Sequence, residues 1–316
     1  AAGGSSGVGG AAVGTGEGGA GVVRHSLGGV VRGTLHRRYK RFLADVELDP
    51  AARGLPGADA NAQAEEGGGV TLTVVHCPNT GPMTGLLDSL PAPCLLSHHP
   101  SKTRKYAFSL AAIEVDGTWV GVNSARANDV VGTAVAAGLL DAPLAMGAGG
   151  VRRGAVRREV KCGDDGKSRR DFVVERLPAD GGGDAQDVHL EVKAVTLTNG
   201  EPSAEPGCEG GLVALFPDTV SKRASKHTRE LIEHQHAASA SSRGRDEAGM
   251  AAAAVMLILR GDCSSYCPAD DCDPAYGALV RSAALEGVGV LPLRAALSLE
   301  GEADAHGMRE LIVDVR

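Results

Sequence analysis

The sequence predicts a small antiparallel β-barrel followed by an α/β domain, and three observations carry that expectation. Residues 31–124 show short β-branched runs separated by turn signals, with little helical periodicity. Residues 125–316 switch to strands alternating with helical stretches. The chain of 316 residues is also longer than one hydrophobic core usually organises. Residues 1–30 are read apart from both, as a disordered Gly/Ala-rich extension.

Hydrophobic residues at 43% and charged residues at 22% suit a globular protein, but 45 glycines and 3% aromatics do not. The excess glycine collects in tracts. The opening AAGGSSGVGGAAVGTGEGGAG cannot bury enough surface to offset its ordering entropy. A transit-peptide remnant is its second reading, since Glu17 is the only acid before Asp45. Similar tracts at 51–69, 179–187, 200–211 and 237–249 separate periodic segments and read as loop expansions. No apolar run reaches the roughly 20 residues of a membrane span. A soluble, intracellular protein without a membrane partner is expected, in plastid or cytoplasm if the source is eukaryotic. Seven cysteines without a C-x-x-C pair argue against a disulfide framework, a disulfide-linked partner or a tetrahedral zinc site. The net charge of −7 excludes a uniformly basic nucleic-acid binder, so the placement of the basic residues decides.

In the first part, VRGTLHRRYKRFLADVEL alternates as one or two strands, with Phe42, Ala44, Val46 and Leu48 on one face. VTLTVVHC is a β-branched strand. AAIEVDGTWVGVNS carries Asp116-Gly117 between two apolar runs and predicts a hairpin. In the second part, Asn128 is placed to cap a helix over Asp129 to Leu140. Strands follow at VRREVKC, RRDFVVERL and HLEVKAVTLT. Asp218 is read as the cap of a second helix, TVSKRASKHTRELIEHQH. VMLILR reads as a strand covered on both faces. A helix at Ala275 to Leu285 and a strand at Val288 to Leu293 complete the pattern.

The chemistry concentrates on RRDFVVERL and HLEVKAVTLT. Glu191 and Lys193 share one strand face because strand side chains alternate. A simple hairpin centred near residue 183 sets Asp171 opposite about Lys193 to Val195, a diagonal step from Glu191. Two carboxylates and an ammonium on one face suit metal-assisted hydrolysis of a phosphodiester. The acids would hold Mg²⁺ or Mn²⁺ through few protein contacts, and the lysine would position water or stabilise developing charge. The spacing D-x(19)-E-V-K fits the metal-dependent nuclease core D…(D/E)-x-K. Chance produces this spacing in many chains, and a solvated strand face with a Glu–Lys pair is the plain alternative. Glu159, on the preceding strand, is a candidate third metal ligand.

Basic residues flank this face. Arg152, Arg153, Arg157, Arg158, Lys161, Lys167, Arg169 and Arg170 lead into Asp171. Lys222, Lys226 and Arg229 form a stripe on the second helix, with Arg223 beside it, while Val220, Ala224 and Leu231 form an apolar stripe. The barrel part carries HRRYKRF, where Arg37, Arg38, Lys40 and Arg41 surround Tyr39 and Phe42. This suits phosphate tracking with base stacking; an edge strand guarded by charge is the alternative. His76-Cys77 is a poor nucleophile pair and Cys77 reads as structural. Cys263, Cys267 and Cys272 lack a fourth zinc ligand, and Asp270, Asp271 and Asp273 lack the offsets of a calcium loop. No glycine-rich phosphate loop follows a strand.

RFLADVEL, HCPNTGPMTGLL, LLSHHPSKTRKYAFSL, EVDGTWVGVN, REVKCG, EVKAVTL, ALFPDTVSKRASKHTRELIE and PADDCDPAYGALVR resemble the sugar fermentation stimulation protein A family, over nearly all of Val31 to Leu297. The resemblance implies an OB-fold barrel, a restriction-endonuclease-like α/β domain and DNA binding. Its D…E-x-K positions fall on Asp171, Glu191 and Lys193. The long insertions beside the site depart from the family pattern and bear on substrate shape.

The function expected is therefore a DNA-binding protein, or one acting on RNA, with a metal-dependent nuclease site. Arg37, Arg38, Lys40, Arg41, Lys222, Arg223 and Lys226 would hold nucleic acid, and no organic cofactor is expected. The alternative is a non-catalytic DNA-binding regulator of sugar (maltose) metabolism genes, which the resemblance also implies. A third reading places a small anionic metabolite near Asn79 to Thr84.

Overall fold

A computed structural model describes residues 21–64, 70–101, 103–146, 151–162, 168–178, 186–241 and 249–316, with the backbone of 12–14. Lys167 and most of the 179–187 tract lie outside the described residues. The first strands are β1 (Ala12–Gly14), β2 (Val22–Tyr39), β3 (Leu43–Leu48), β4 (Ala62–Ala64) and β5 (Thr71–His76). β6 (Ala92–His98), β7 (Phe108–Val115) and β8 (Thr118–Gly121) lead to helix α1 (Ala127–Ala136). β9 (Val151–Cys162), β10 (Ser168–Pro178), β11 (Gln186–Val195), β12 (Leu197–Pro202) and β13 (Leu212–Phe216) precede α2 (Lys222–Ser241). The chain ends with β14 (Ala252–Ile258), β15 (Cys263–Pro268), α3 (Pro274–Leu285), β16 (Gly289–Glu300) and β17 (Arg309–Val315).

Two compact units emerge. The first holds residues up to 80, then 86–126 and 295–316. The second holds 81–85 and 127–294. The expected single division near residue 124 therefore misses the last 22 residues. The physical reason is pairing: β17 runs antiparallel to β2, with Val313 opposite His25, and to the second half of β16. The expected disordered extension is also too long, because residues 22–30 belong to β2.

In the first unit β2 is the central element, hydrogen-bonded to β3, β6 and β17. Val30 of β2, Leu95 of β6, Ala111 and Ala112 of β7 and Leu311 of β17 form a buried cluster. Asp116 (φ 50°) and Gly117 (φ 77°) make the β7–β8 turn, as the Asp-Gly pair predicts. Ala44, Val46 and Leu48 are buried as expected, but Phe42 is 46% exposed. It sits in the tight turn after Lys40 and Arg41, both with positive φ, which takes it off the strand face.

In the second unit β9, β10 and β11 are antiparallel, and β11, β14 and the first half of β16 are parallel. β14 is buried along its whole length, as its unbroken apolar run predicts. A smaller sheet orders β12, β13 and β15. Val195, Leu231, Met256, Ile258 and Ala283 knit sheet and helices into one core. Two helix starts differ from expectation. Ser221, not Asp218, caps α2, its Oγ accepting the Ala224 N–H at 3.1 Å. Asp218 instead accepts the Met83 N–H at 3.3 Å. Asp273 caps α3 through Oδ1 on Tyr276 N–H and holds Ser221 N–H with Oδ2, both at 3.0 Å, which fixes where α2 begins. The first helix starts at Ala127, so Asn128 lies inside it. That helix ends at Ala136, where Arg153 donates from Nη2 to the Ala136 carbonyl at 2.8 Å.

Candidate active site

Asp171 and Glu191 come from the two antiparallel strands β10 and β11. Phe172 pairs with Leu190, so continuing the register sets Asp171 directly opposite Glu191. The expected position opposite Lys193 to Val195 is displaced, because the observed pairs are symmetric about position 181 and not 183. The correction keeps both acids on one face and brings them closer than the expected diagonal step.

Each acid is held by several donors. Asn128 Nδ2 donates to Asp171 Oδ1 at 2.8 Å, and Val192 N–H donates to Oδ2 at 2.6 Å. Lys193 Nζ donates to Glu191 Oε1 at 2.7 Å, and His227 Nδ1 contacts the same oxygen. Glu191 Oε2 is buried and has no partner among the described residues. Burial is the largest influence on Glu191 and would raise its pKa, but His227 and Lys193 override it and hold the carboxyl at about 2. Asp171 goes the other way, raised first by burial and then by the Glu191 charge, against the Val192 and Asn128 hydrogen bonds.

A second polar group adjoins these residues. Glu230 accepts from Ser168 Oγ at 2.5 Å and pairs with Arg170 at 3.3 Å and Lys226 at 3.4 Å. Arg170 is buried. Glu230 thus anchors α2 to β10 one turn beyond His227, and this fixes the histidine over Glu191.

The other predicted residues divide. Glu159 is half-exposed and reached by Asn128 Nδ2 at 3.4 Å, with Arg169 4.0 Å away. Among the described residues no three His, Cys, Asp or Glu side chains gather as a metal-binding group, so Glu159 does not complete a set with Asp171 and Glu191. Lys222 and Arg223 are exposed on the first turn of α2. Lys226 donates to Ser168 Oγ at 3.2 Å. Val220 precedes the helix and is exposed, so the apolar stripe is Ala224 and Leu231 with His227 between them. The basic run before Asp171 is largely paired: Arg153 with Asp141, Arg157 with Asp187 and Arg158 with Asp129. That pairing removes much of the positive field which the run promises in sequence.

In the first unit, Arg37 pairs with buried Asp45 at 2.7 Å and lies over the Tyr39 ring. Arg38 donates to the Arg41 and Asn79 carbonyls, and Arg41 to the Thr80 carbonyl. Three of the four arginine and lysine residues in this turn therefore have structural bonds. Lys40 sits exposed at its apex.

Sequence reasoning missed Asn128 and His227. Asn128 was masked by its fitness as a cap. His227 carried a signal, since a histidine on an otherwise buried stripe needs a polar partner.

Comparison with known proteins adds the family. The model of the sugar fermentation stimulation protein RE domain matches residues 125–301, and that of the SfsA N-terminal OB domain matches 37–122. The chain belongs to the sugar fermentation stimulation protein family. A homolog from Gloeobacter violaceus is 38% identical over 265 residues, covering 84% of this chain and 88% of its own. One from Synechocystis sp. is 36% identical over 286 residues, covering 90% and 96%. The fold is like that of Pyrococcus furiosus SfsA, solved in complex with Ca²⁺, with TM-score 0.57 at 19% identity over 90% of this chain and 93% of that one. The chain thus has an OB domain and a C-terminal family domain built on a mixed sheet. Among the described residues, no helix is long and apolar enough to cross a membrane.

Proposed function

We propose that this family member is a metal-dependent nucleic-acid phosphodiesterase, with a restriction-endonuclease-like second unit and an OB barrel that holds the strand. One observation carries the reading most: two adjacent carboxylates, one with a buried oxygen that has no partner among the described residues, stand beside a lysine. Such an orphan acceptor costs free energy unless a cation completes it. The Asp171 carboxyl is pushed up first by burial and then by the Glu191 charge, and a bound cation would offset both. The donor set is all oxygen, which suits Mg²⁺ or Mn²⁺. A relative in the family was solved with Ca²⁺, which supports a divalent ion here.

Asp171 and Glu191 would hold the metal through their free lone pairs. When bound, it supplies a water of lowered pKa and charge neutralisation at phosphorus. Asn128 and the Val192 N–H orient Asp171, while His227 and Lys193 hold Glu191 by Oε1, so Oε2 would be the oxygen offered to a cation. Lys193, whose Nζ reaches the site beside Glu191, would orient water or stabilise the developing oxyanion. Lys222, Arg223 and Lys226 on α2, and Arg37, Arg38, Lys40 and Arg41 on the OB unit, would contact phosphates. The substrate is DNA or RNA. The test is cleavage of labelled DNA and RNA with Mg²⁺, with Mn²⁺ or with EDTA, in the parent and in Glu191→Gln.

A further inference from the structure

The segment LLSHHPSKTRKYAFSL has no part in the site above, yet it borders a cavity of about 370 Å³ in the first unit. Pro56, Gly57, Ala60 and Asn61 form one wall, and Pro100, Ser101, Arg104, Lys105 and Ala107 form the other. Among the described residues, no acidic side chain lines it. The volume lies in the range of small-ligand sites.

The two walls are fastened together rather than merely adjacent. His98 Nε2 contacts the Pro56 carbonyl at 2.9 Å, and Asn61 Nδ2 donates to the Lys105 carbonyl at 3.0 Å. Gly57 sits at φ +85°, and a Cβ there would lie 2.7 Å from Ala107 Cβ. Only glycine permits that approach, so the close fit of the walls is written in the sequence. Ser101 Oγ accepts the Thr103 N–H at 3.2 Å, which shapes the turn that presents Arg104.

The charge at this cavity is uncommitted, in contrast to the Arg37–Arg41 turn. Arg104 has no hydrogen-bond or ion-pair partner among the described residues, and Lys105 has only the Tyr106 ring, 5.4 Å away. The Arg104 charge reaches His76 and His99, where it adds to burial in disfavouring protonation. A concave site with two unspent cations, an amide and a hydroxyl, and no carboxylate, suits a phosphate group.

We propose that this cavity is a phosphate-binding subsite, with Arg104 and Lys105 as its cationic clamp and Asn61 and Ser101 at its rim. The phosphate belongs either to a nucleic-acid strand or to a free phosphorylated small molecule. The strand source rests on the function proposed above; the free source does not.

The experiment titrates the full chain, in EDTA so that cleavage plays no part, with inorganic phosphate, adenosine 5′-monophosphate and a labelled single-stranded oligonucleotide. Parent, R104E/K105E and A60W are compared, with circular dichroism to show that each is folded. Ala60→Trp fills the cavity without changing charge. If a strand occupies the site, both variants weaken oligonucleotide binding by about tenfold or more. R104E/K105E also lowers the salt slope by about 0.7, the share of one phosphate on a single strand. If the source is a free phosphate, both variants lose phosphate or nucleotide binding and leave the oligonucleotide unaffected. Weakening by charge reversal but not by Ala60→Trp would overturn the proposal in favour of a diffuse surface field. Parent-like binding in both variants, or no binding of any probe by the parent, would overturn it too. Loss of cleavage in Glu191→Gln with these results intact would separate this site from the catalytic one.

Discussion

His227 and Glu191, 36 positions apart, meet at the one carboxylate oxygen that Lys193 also engages, and the other oxygen is buried without a partner among the described residues. The arrangement makes His227 a positioning residue: it acts through Glu191 and not on substrate. His227→Ala is expected to lower metal affinity and cleavage by about 10- to 100-fold, the usual cost of removing a group behind a metal ligand. Raising Mn²⁺ should restore much of the rate. A rate that stays low at saturating Mn²⁺, with unchanged metal affinity, would count against this role.

Acid stability tests the same carboxylate. Its folded pKa of about 2 lies below the ordinary 4.5, so its contribution is present above about 4.5 and disappears as pH falls toward 2. The parent should lose melting temperature more steeply than Glu191→Gln across that window. Parallel curves for the two proteins would show that Glu191 is not held as described.

Asp171 has the opposite sign. Its folded pKa is raised, so ionising it disfavours the fold as pH rises through that value. Asp171→Asn should therefore melt higher than the parent at pH 8 without metal, while losing cleavage. Added Mg²⁺ or Mn²⁺ should stabilise the parent but not the variant. A lower melting temperature for Asp171→Asn in metal-free buffer would contradict the crowding of the two acids.

Arg38 distinguishes structure from binding in the first unit. It donates to the Arg41 and Asn79 carbonyls at 2.6 and 2.8 Å, joining two loops. Arg38→Met is expected to cost about 1.5–3 kcal/mol of stability, the scale of hydrogen bonds to a charged group. Lys40→Met, at an exposed apex, should change stability little. Equal denaturation midpoints for the two variants would remove the structural role given to Arg38.

Much of this was legible in the sequence because local chemistry dictated it. Asp116-Gly117 makes its turn wherever it stands between apolar strands, and the unbroken run VMLILR had to be covered on both faces. Glu191 and Lys193 share a face by alternation alone. What could not be read depends on distant pairing. The β10–β11 register rests on strand contacts across a loop, and β17 joins the first unit because its hydrogen-bond partners lie almost 300 residues earlier. Asn128 satisfies the local rule for a cap, yet tertiary packing spends its amide on Asp171. The arginines before Asp171 looked like an anion-binding surface because their acidic partners, Asp129, Asp141 and Asp187, lie on other elements or across a loop.

The most direct measurement is the single-turnover rate of cutting a labelled strand by the parent and by Lys193→Met, in Mg²⁺, in Mn²⁺ and in EDTA. Metal-dependent cutting by the parent is expected, with binding retained and the rate lowered by at least about 100-fold in Lys193→Met. Tight binding with no cutting by the parent in either metal, on DNA and on RNA, would contradict the catalytic account and leave a nucleic-acid-binding protein.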